Sequence, residues 1–195
     1  RIVFNGNNYA QAWVEEAQKR GLSNLKSTVD ALPAFISRKS IDLFSKFGVL
    51  NETEIHSRYE IVLENYCKTI NIEALTMTDM VRKQILPALS AFSGELARSA
   101  QDKLTLVPSL SLSYEKSTVA SLSRLSDSLE AAVTELEKRV VDARMVGEVL
   151  QAGRYYHDQV LPAMAEVCSI SDSAELLMGE TYYPIPTYEQ LLYSV

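Results

Sequence analysis

Histidine and cysteine are scarce in this chain, two of each in 195 residues, and that scarcity removes most site chemistry at once. A metal cluster needs several His, Cys, Asp or Glu side chains at ligand spacing. His56 and His157 each stand alone in their own stretch. His56 has Glu52 and Glu60 nearby, but helix surfaces produce such neighbours constantly, so they make no ligand set. Cys67 and Cys168 lie in apolar periodic runs, which predicts inert core thiols in a reducing compartment rather than a disulfide. A Cys–His nucleophile built from them is the weaker reading. The sequence also lacks a GxxxxGK(S/T) loop, a GxGxxG turn, an HExxH pair and a GxSxG elbow. No catalytic, cofactor-binding or metal-ligating residue is therefore assigned. No apolar run approaches the roughly 18 residues of a membrane span, and no signal-peptide pattern is present. The 19 basic residues are outnumbered by 25 acidic ones and never cluster, which argues against a nucleic-acid surface.

What the chain does have is helical periodicity. From Asn51 to Phe92 the segment opens with a capping box, Asn51 answered by Glu54. Ile55, Tyr59, Val62, Tyr66, Ile70, Ala74, Met77, Val81 and Ile85 then recur every three or four residues. A second set, Ile61, Ile72, Leu75 and Leu86, predicts contact on another side. Pro87 lacks the amide hydrogen and crowds the carbonyl four residues back, so a kink is expected near Lys83. The reading is a long kinked central helix over about 52–100.

Ahead of it, Ile2-Val3-Phe4 and Asn5-Gly6-Asn7 read as an extended segment and a turn. Short helices are predicted over Tyr9–Arg20, stopped by Gly21, and over Ser40–Phe47, closed by Gly48, with a capped helical turn at Thr28–Pro33. Beyond the central helix, 103–117 reads as a connecting loop, with a weak strand alternative in the alternation from Leu106 to Leu112. Leu122, Leu125, Leu129, Ala132, Leu136, Val140 and Ala143 then form the seam of an antiparallel helix hairpin over about 118–170. Glu135 and Arg139 should pair at i, i+4. Gly147 marks the turn, and Val149, Tyr156, Val160, Met164 and Val167 line the returning helix. Gly153 reads as a tolerated glycine. Gln84-Ile85-Leu86-Pro87-Ala88-Leu89 is echoed by Gln159-Val160-Leu161-Pro162-Ala163-Met164, which chance and similar packing suffice to explain. Asn71 and Glu73 sit among apolar neighbours. An internal ion pair, with Arg58, Lys68, Arg82 or Arg98 as partner, is favoured over contact with a neighbouring domain. Pro184 and Pro186 favour an extended tail, Thr187 could cap a last helix, and this aromatic end is expected to dock on the body or another subunit.

The expected class is all-α: a helical bundle with short N-terminal helices over 1–50, the bundle over 51–180 and the tail over 181–195, all in one structural domain. A chain that begins Arg1-Ile2-Val3-Phe4 reads as a fragment of a larger protein. Two segments, Ile2–Tyr9 and Lys19–Pro33, together with Ser57–Glu60, Thr69–Met77 and Lys83–Ala88, resemble the C-terminal region of type III glutamine synthetases. The tail with Pro184, Pro186, Tyr188 and Leu191-Leu192 is similar to that family's C-terminus, although Tyr183 stands where a tryptophan is expected. Between 100 and 175 only the helical pattern and the Tyr155-Tyr156…Pro162-Ala163-Met164 run match. The resemblance implies a cytoplasmic parent enzyme that joins ammonia to glutamate using ATP and Mg or Mn. It also implies a homo-oligomeric ring, with the catalytic domain of the same chain and neighbouring subunits as partners. Its catalytic groups precede this region, so the segment is expected to be noncatalytic, with a structural and assembly role. Two other readings are kept: a stand-alone helical protein–protein interaction module, and a small metal- or thiol-dependent enzyme using His56, His157 or the cysteines.

Overall fold

The computed structural model describes residues 3–186 and 188–193, and every regular element among them is helical. The α-helices are α1 (Gln11–Lys19), α2 (Thr28–Phe35), α3 (Arg38–Lys46), α4 (Glu52–Met80), α5 (Leu86–Leu106), α6 (Ser113–Arg144), α7 (Val149–Tyr155), α8 (Leu161–Glu175) and α9 (Tyr188–Tyr193). Two five-residue π-helical segments, π1 (Val81–Ile85) and π2 (Tyr156–Val160), join α4 to α5 and α7 to α8. Thr187 as a cap and Ile2 in the extended segment lie outside the described residues, as do the side chains of Tyr188 and Glu189.

The chain divides into two compact units, Arg1–Tyr66 and Cys67–Val195. In the first unit, helix ends follow the local sequence closely. Gly21 and Gly48 take positive φ, 73° and 65°, which only glycine adopts at little cost. Each closes its helix with the paired bonds of a Schellman motif: Leu22 to Ala17 with Gly21 to Gln18, and Val49 to Phe44 with Gly48 to Ser45. Ser27 and Ser37 accept from the amides of Asp30 and Ser40 and start α2 and α3. The capping box closes in both directions: the Asn51 amide donates to Glu54 Oε2 at 2.7 Å, and the Glu54 amide to Asn51 Oδ1 at 2.9 Å. Phe4 packs its ring 4.7 Å from that of Trp13, which folds the N-terminal extension onto α1. The buried side chains of this unit are Val29, Ile41, Ile55, Tyr59 and Leu63.

The second unit is a three-helix bundle: the 67–106 stretch of the central helix, then α6, then α7–π2–α8. α6 is the middle member and packs on both others. Its buried face is Thr118, Leu122, Leu129, Val133, Leu136, Val140 and Ala143. The expected seam holds except that Val133 replaces Ala132 in the core, while Leu125 is half-buried. The 103–117 loop shrinks to six residues, 107–112, because α5 runs on to Leu106 and α6 starts at Ser113. No strand forms there. A tertiary contact explains the extension: Lys103 Nζ donates to Glu115 Oε1 at 2.5 Å, tying the two helix ends together. On the central helix, the face turns at Leu63 rather than at Val62, and of the second apolar set only Leu86 is half-buried. Ile61, Ile72 and Leu75 are all exposed.

The six-residue echo has a structural counterpart. Both copies end a π segment, with the Leu86 amide bonding to the Val81 carbonyl and the Leu161 amide to the Tyr156 carbonyl. In each case a proline follows immediately at the second position of the next helix. A widened turn relieves the crowding of a proline ring against the carbonyl four residues earlier, those of Lys83 and Asp158. The expected kink position is thus the site of π1.

Candidate functional site

Three groupings of side chains in the second unit stand out, and the first two are polar clasps. Arg82, carried outward by π1, spans to α6. Its Nε and Nη2 each donate to a Glu137 carboxylate oxygen at 2.7 Å, Nη1 reaches both Glu130 oxygens at 3.0 Å, and Nη2 reaches Thr134 Oγ1 at 3.1 Å. A guanidinium fork suits two carboxylates in this way. Below π2, Arg139 pairs with Glu135 at 2.9 Å as expected and also donates to Gln159 Oε1 at 2.6 Å. Glu137 is held below the usual carboxylate range chiefly by the hydrogen bond from Arg82, and Glu115 chiefly by the one from Lys103.

Those two shifts fix a pH dependence. Both folded values lie below the unfolded one near 4.5, so the unfolded chain binds more protons in that window. The contribution is present above the unfolded value and is lost as pH falls through the folded ones. The urea midpoint should therefore drop on acidification from about pH 5 to about pH 3, and less steeply in an Arg82→Met/Lys103→Met variant. An unchanged acid slope in that variant would contradict the assignment.

The second clasp centres on Asn71. Its Oδ1 accepts from Arg144 Nε at 3.1 Å, from Arg144 Nη2 at 3.0 Å and from the Tyr156 hydroxyl at 3.3 Å. Burial pushes the Tyr156 hydroxyl upward. Asn71 therefore fixes the register of three helices with neutral and cationic donors. The predicted ion pair at Glu73 does not form: Glu73 is exposed, and Arg82 serves the glutamates of α6 instead.

The third grouping is an apolar groove of about 580 Å³ between α4, π1, α8 and the tail. Val81, Ile85 and Val167 form its buried floor, and Met77, Met80 and Met164 its flexible walls. Glu73, Asp172 and Glu175 line it too, and no Lys, Arg or His does so among the described residues. Tyr183, Ile185 and Pro186 close one side. The tail is anchored by Tyr182, whose ring lies 4.7 Å from that of Phe92 and whose hydroxyl is pushed up by its interaction with Glu95. Docking of the aromatic end on the body is thereby observed for Tyr182 and Tyr183. Burial, reinforced by Glu175 and Asp172, pushes the Tyr183 hydroxyl up to about 12.

The remaining candidates stay apart. His56 is exposed on α4, and His157 Nδ1 lies 2.7 Å from Asp158 Oδ1 of the next residue. Among the described residues no three His, Cys, Asp or Glu side chains converge as a metal site would require. Neither cysteine is in a disulfide, and they are not core thiols: Cys67 is half-buried and Cys168 exposed at the groove. Cys168 follows the apolar period yet sits one residue past the buried Val167, on the groove side of α8. Its thiol is pushed up by burial and then by Asp172. The groove itself had no sequence signal, because its walls come from segments a hundred residues apart.

Comparison with known proteins gives these features a setting. A family model described as the glutamine synthetase C-terminal domain matches residues 1–103. A glutamine synthetase of Butyrivibrio fibrisolvens is 41% identical over 195 residues, covering 100% of this chain and 28% of its own length. A type-3 glutamine synthetase of Dictyostelium discoideum is 32% identical over 99% of the chain and 27% of its own length. A glutamine synthetase of Bacteroides fragilis (strain YCH46) is 25% identical over the same shares. The chain thus spans little more than a quarter of the curated relatives it matches. No helix among the described residues is long and apolar enough to cross a membrane.

Proposed function

The chain belongs to the glutamine synthetase C-terminal domain family, and from that membership we propose that it serves as a noncatalytic assembly domain of such an enzyme. The parent reaction would be ATP-dependent ligation of ammonia to glutamate in the cytoplasm. ATP and Mg or Mn would be held by a catalytic domain outside these residues. The partners would be that catalytic domain and neighbouring subunits of a homo-oligomeric ring.

The observation that carries this reading lies on α3. Ile41 and Phe44 of that helix point inward, with Phe44 edge-on to Phe35 at 5.6 Å, while Leu43 and the C-cap residue Phe47 are exposed. Phe47 is 68% exposed, Val49 in the following turn 60% and Leu43 53%. Large apolar side chains grouped on one exposed face mark a surface that another protein element covers. This face lies inside the stretch that matches the family model.

A Phe47→Asp/Val49→Asp variant of a full-length synthetase tests the reading. Substitution at such exposed positions should change the domain's own stability by no more than about 0.5 kcal/mol. Sedimentation velocity should nevertheless show a smaller assembly. An unchanged assembly would refute the assigned role of this face.

A further inference from the structure

The groove of the second unit has chemistry that an assembly role does not use. At about 580 Å³ it has the capacity of a small-ligand site, typically roughly 300–1,000 Å³. Its walls are rich in methionine, whose flexible, polarisable side chain adapts to varied apolar shapes. Its charged lining has one sign: Glu73 from α4, and Asp172 and Glu175 from α8. None of the three is ion-paired with a cation among the described residues. The half-buried ring of Tyr183 adds an aromatic face beside Asp172 and Glu175, the surroundings that favour an organic cation.

We propose that this groove binds a small organic cation with an apolar body, of the arylalkylamine class, its ring on the methionine walls and its ammonium beside Asp172 and Glu175, with Glu73 adding to the negative field of the lining. A small molecule fits better than a basic peptide helix. A helix docks through anchors spread over two turns, and one side of the groove is already taken by Ile185, Pro186 and Leu191 of the chain's own tail.

Cys168 supplies the readout, since its thiol lines the groove while Cys67 does not. In a full-length assembled protein, labelling of the two cysteines by N-ethylmaleimide is followed by peptide mass spectrometry. The competitors are tryptamine, tryptophol and indole-3-propionate, which share one ring body and carry positive, zero and negative charge. Tryptamine at about four times its dissociation constant should slow Cys168 labelling about fivefold, by simple occupancy. Tryptophol should protect less, indole-3-propionate should not protect, and Cys67 should label at its unaltered rate. In a Glu73→Gln/Asp172→Asn/Glu175→Gln variant, tryptamine should protect no better than tryptophol. Equal protection by all three probes would overturn the proposal, as would slowing of Cys67 in step with Cys168. Failure of tryptamine to protect would also overturn it, including the case where only a basic amphipathic peptide does so. A Cys168 that does not label without ligand would show the groove covered in the assembly, and would overturn it equally.

Discussion

Replacing Leu129 with alanine should destabilise the second unit by about 2–5 kcal/mol, the largest effect expected of any single substitution in the bundle. Leu129 has 0% exposure at the middle of α6, the helix that packs on both of its neighbours. Removing its branched end costs the lost transfer energy and leaves a cavity between helices whose positions are fixed by the Arg82 clasp and the Arg139–Gln159 hydrogen bond. Clasped helices cannot collapse freely into the void, which places the cost toward the upper part of that range. Such a loss is a large fraction of the roughly 5–15 kcal/mol that a domain commands. Urea denaturation followed by helical circular dichroism should show a lower midpoint with the same slope. Val141→Ala, at a position 51% exposed on the same helix, serves as the control and should cost less than about 1 kcal/mol. Equal losses at the two positions would mean that the α6 seam is not the core.

The second large effect is expected at Tyr182. Its ring rests on Phe92, itself only 8% exposed, and holds the chain end against α5. Tyr182→Ala should cost roughly 2–3 kcal/mol, combining lost burial with an aromatic pair worth about 0.5–1.5 kcal/mol. Tyr182→Phe keeps the ring contact and removes only the hydroxyl that interacts with Glu95, so it should cost far less than the alanine variant. Limited proteolysis should cut near 181–186 much faster in the alanine variant than in the phenylalanine one. Matching rates would show that the ring contact does not anchor the tail.

Local signals in the sequence were faithful wherever a single residue type decides the geometry. Gly21, Gly48 and the Asn51–Glu54 box end or start helices where chemistry requires them, and period alone located α6 and its partner. Choices between adjacent apolar residues were not legible: Val62 or Leu63, Ala132 or Val133. Both members satisfy the period, and only packing against another helix selects one. The extension of α5 and α6 into the serine-rich 103–117 stretch depends on Lys103 meeting Glu115, a tertiary contact that overrides weak local preference. The π segments left a trace, the repeated Gln-x-Leu-Pro-Ala run, but proline alone does not distinguish a kink from a widened turn. Arg82 gave no hint of its role, because its carboxylate partners are 48 and 55 residues away.

The most direct measurement of the central claim removes the region equivalent to residues 1–195 from a full-length synthetase and follows assembly and glutamine formation together. As an assembly domain, its loss should convert the ring into smaller species by sedimentation velocity, with glutamine formation falling in parallel. An intact ring that still makes glutamine at the parental rate would contradict the account.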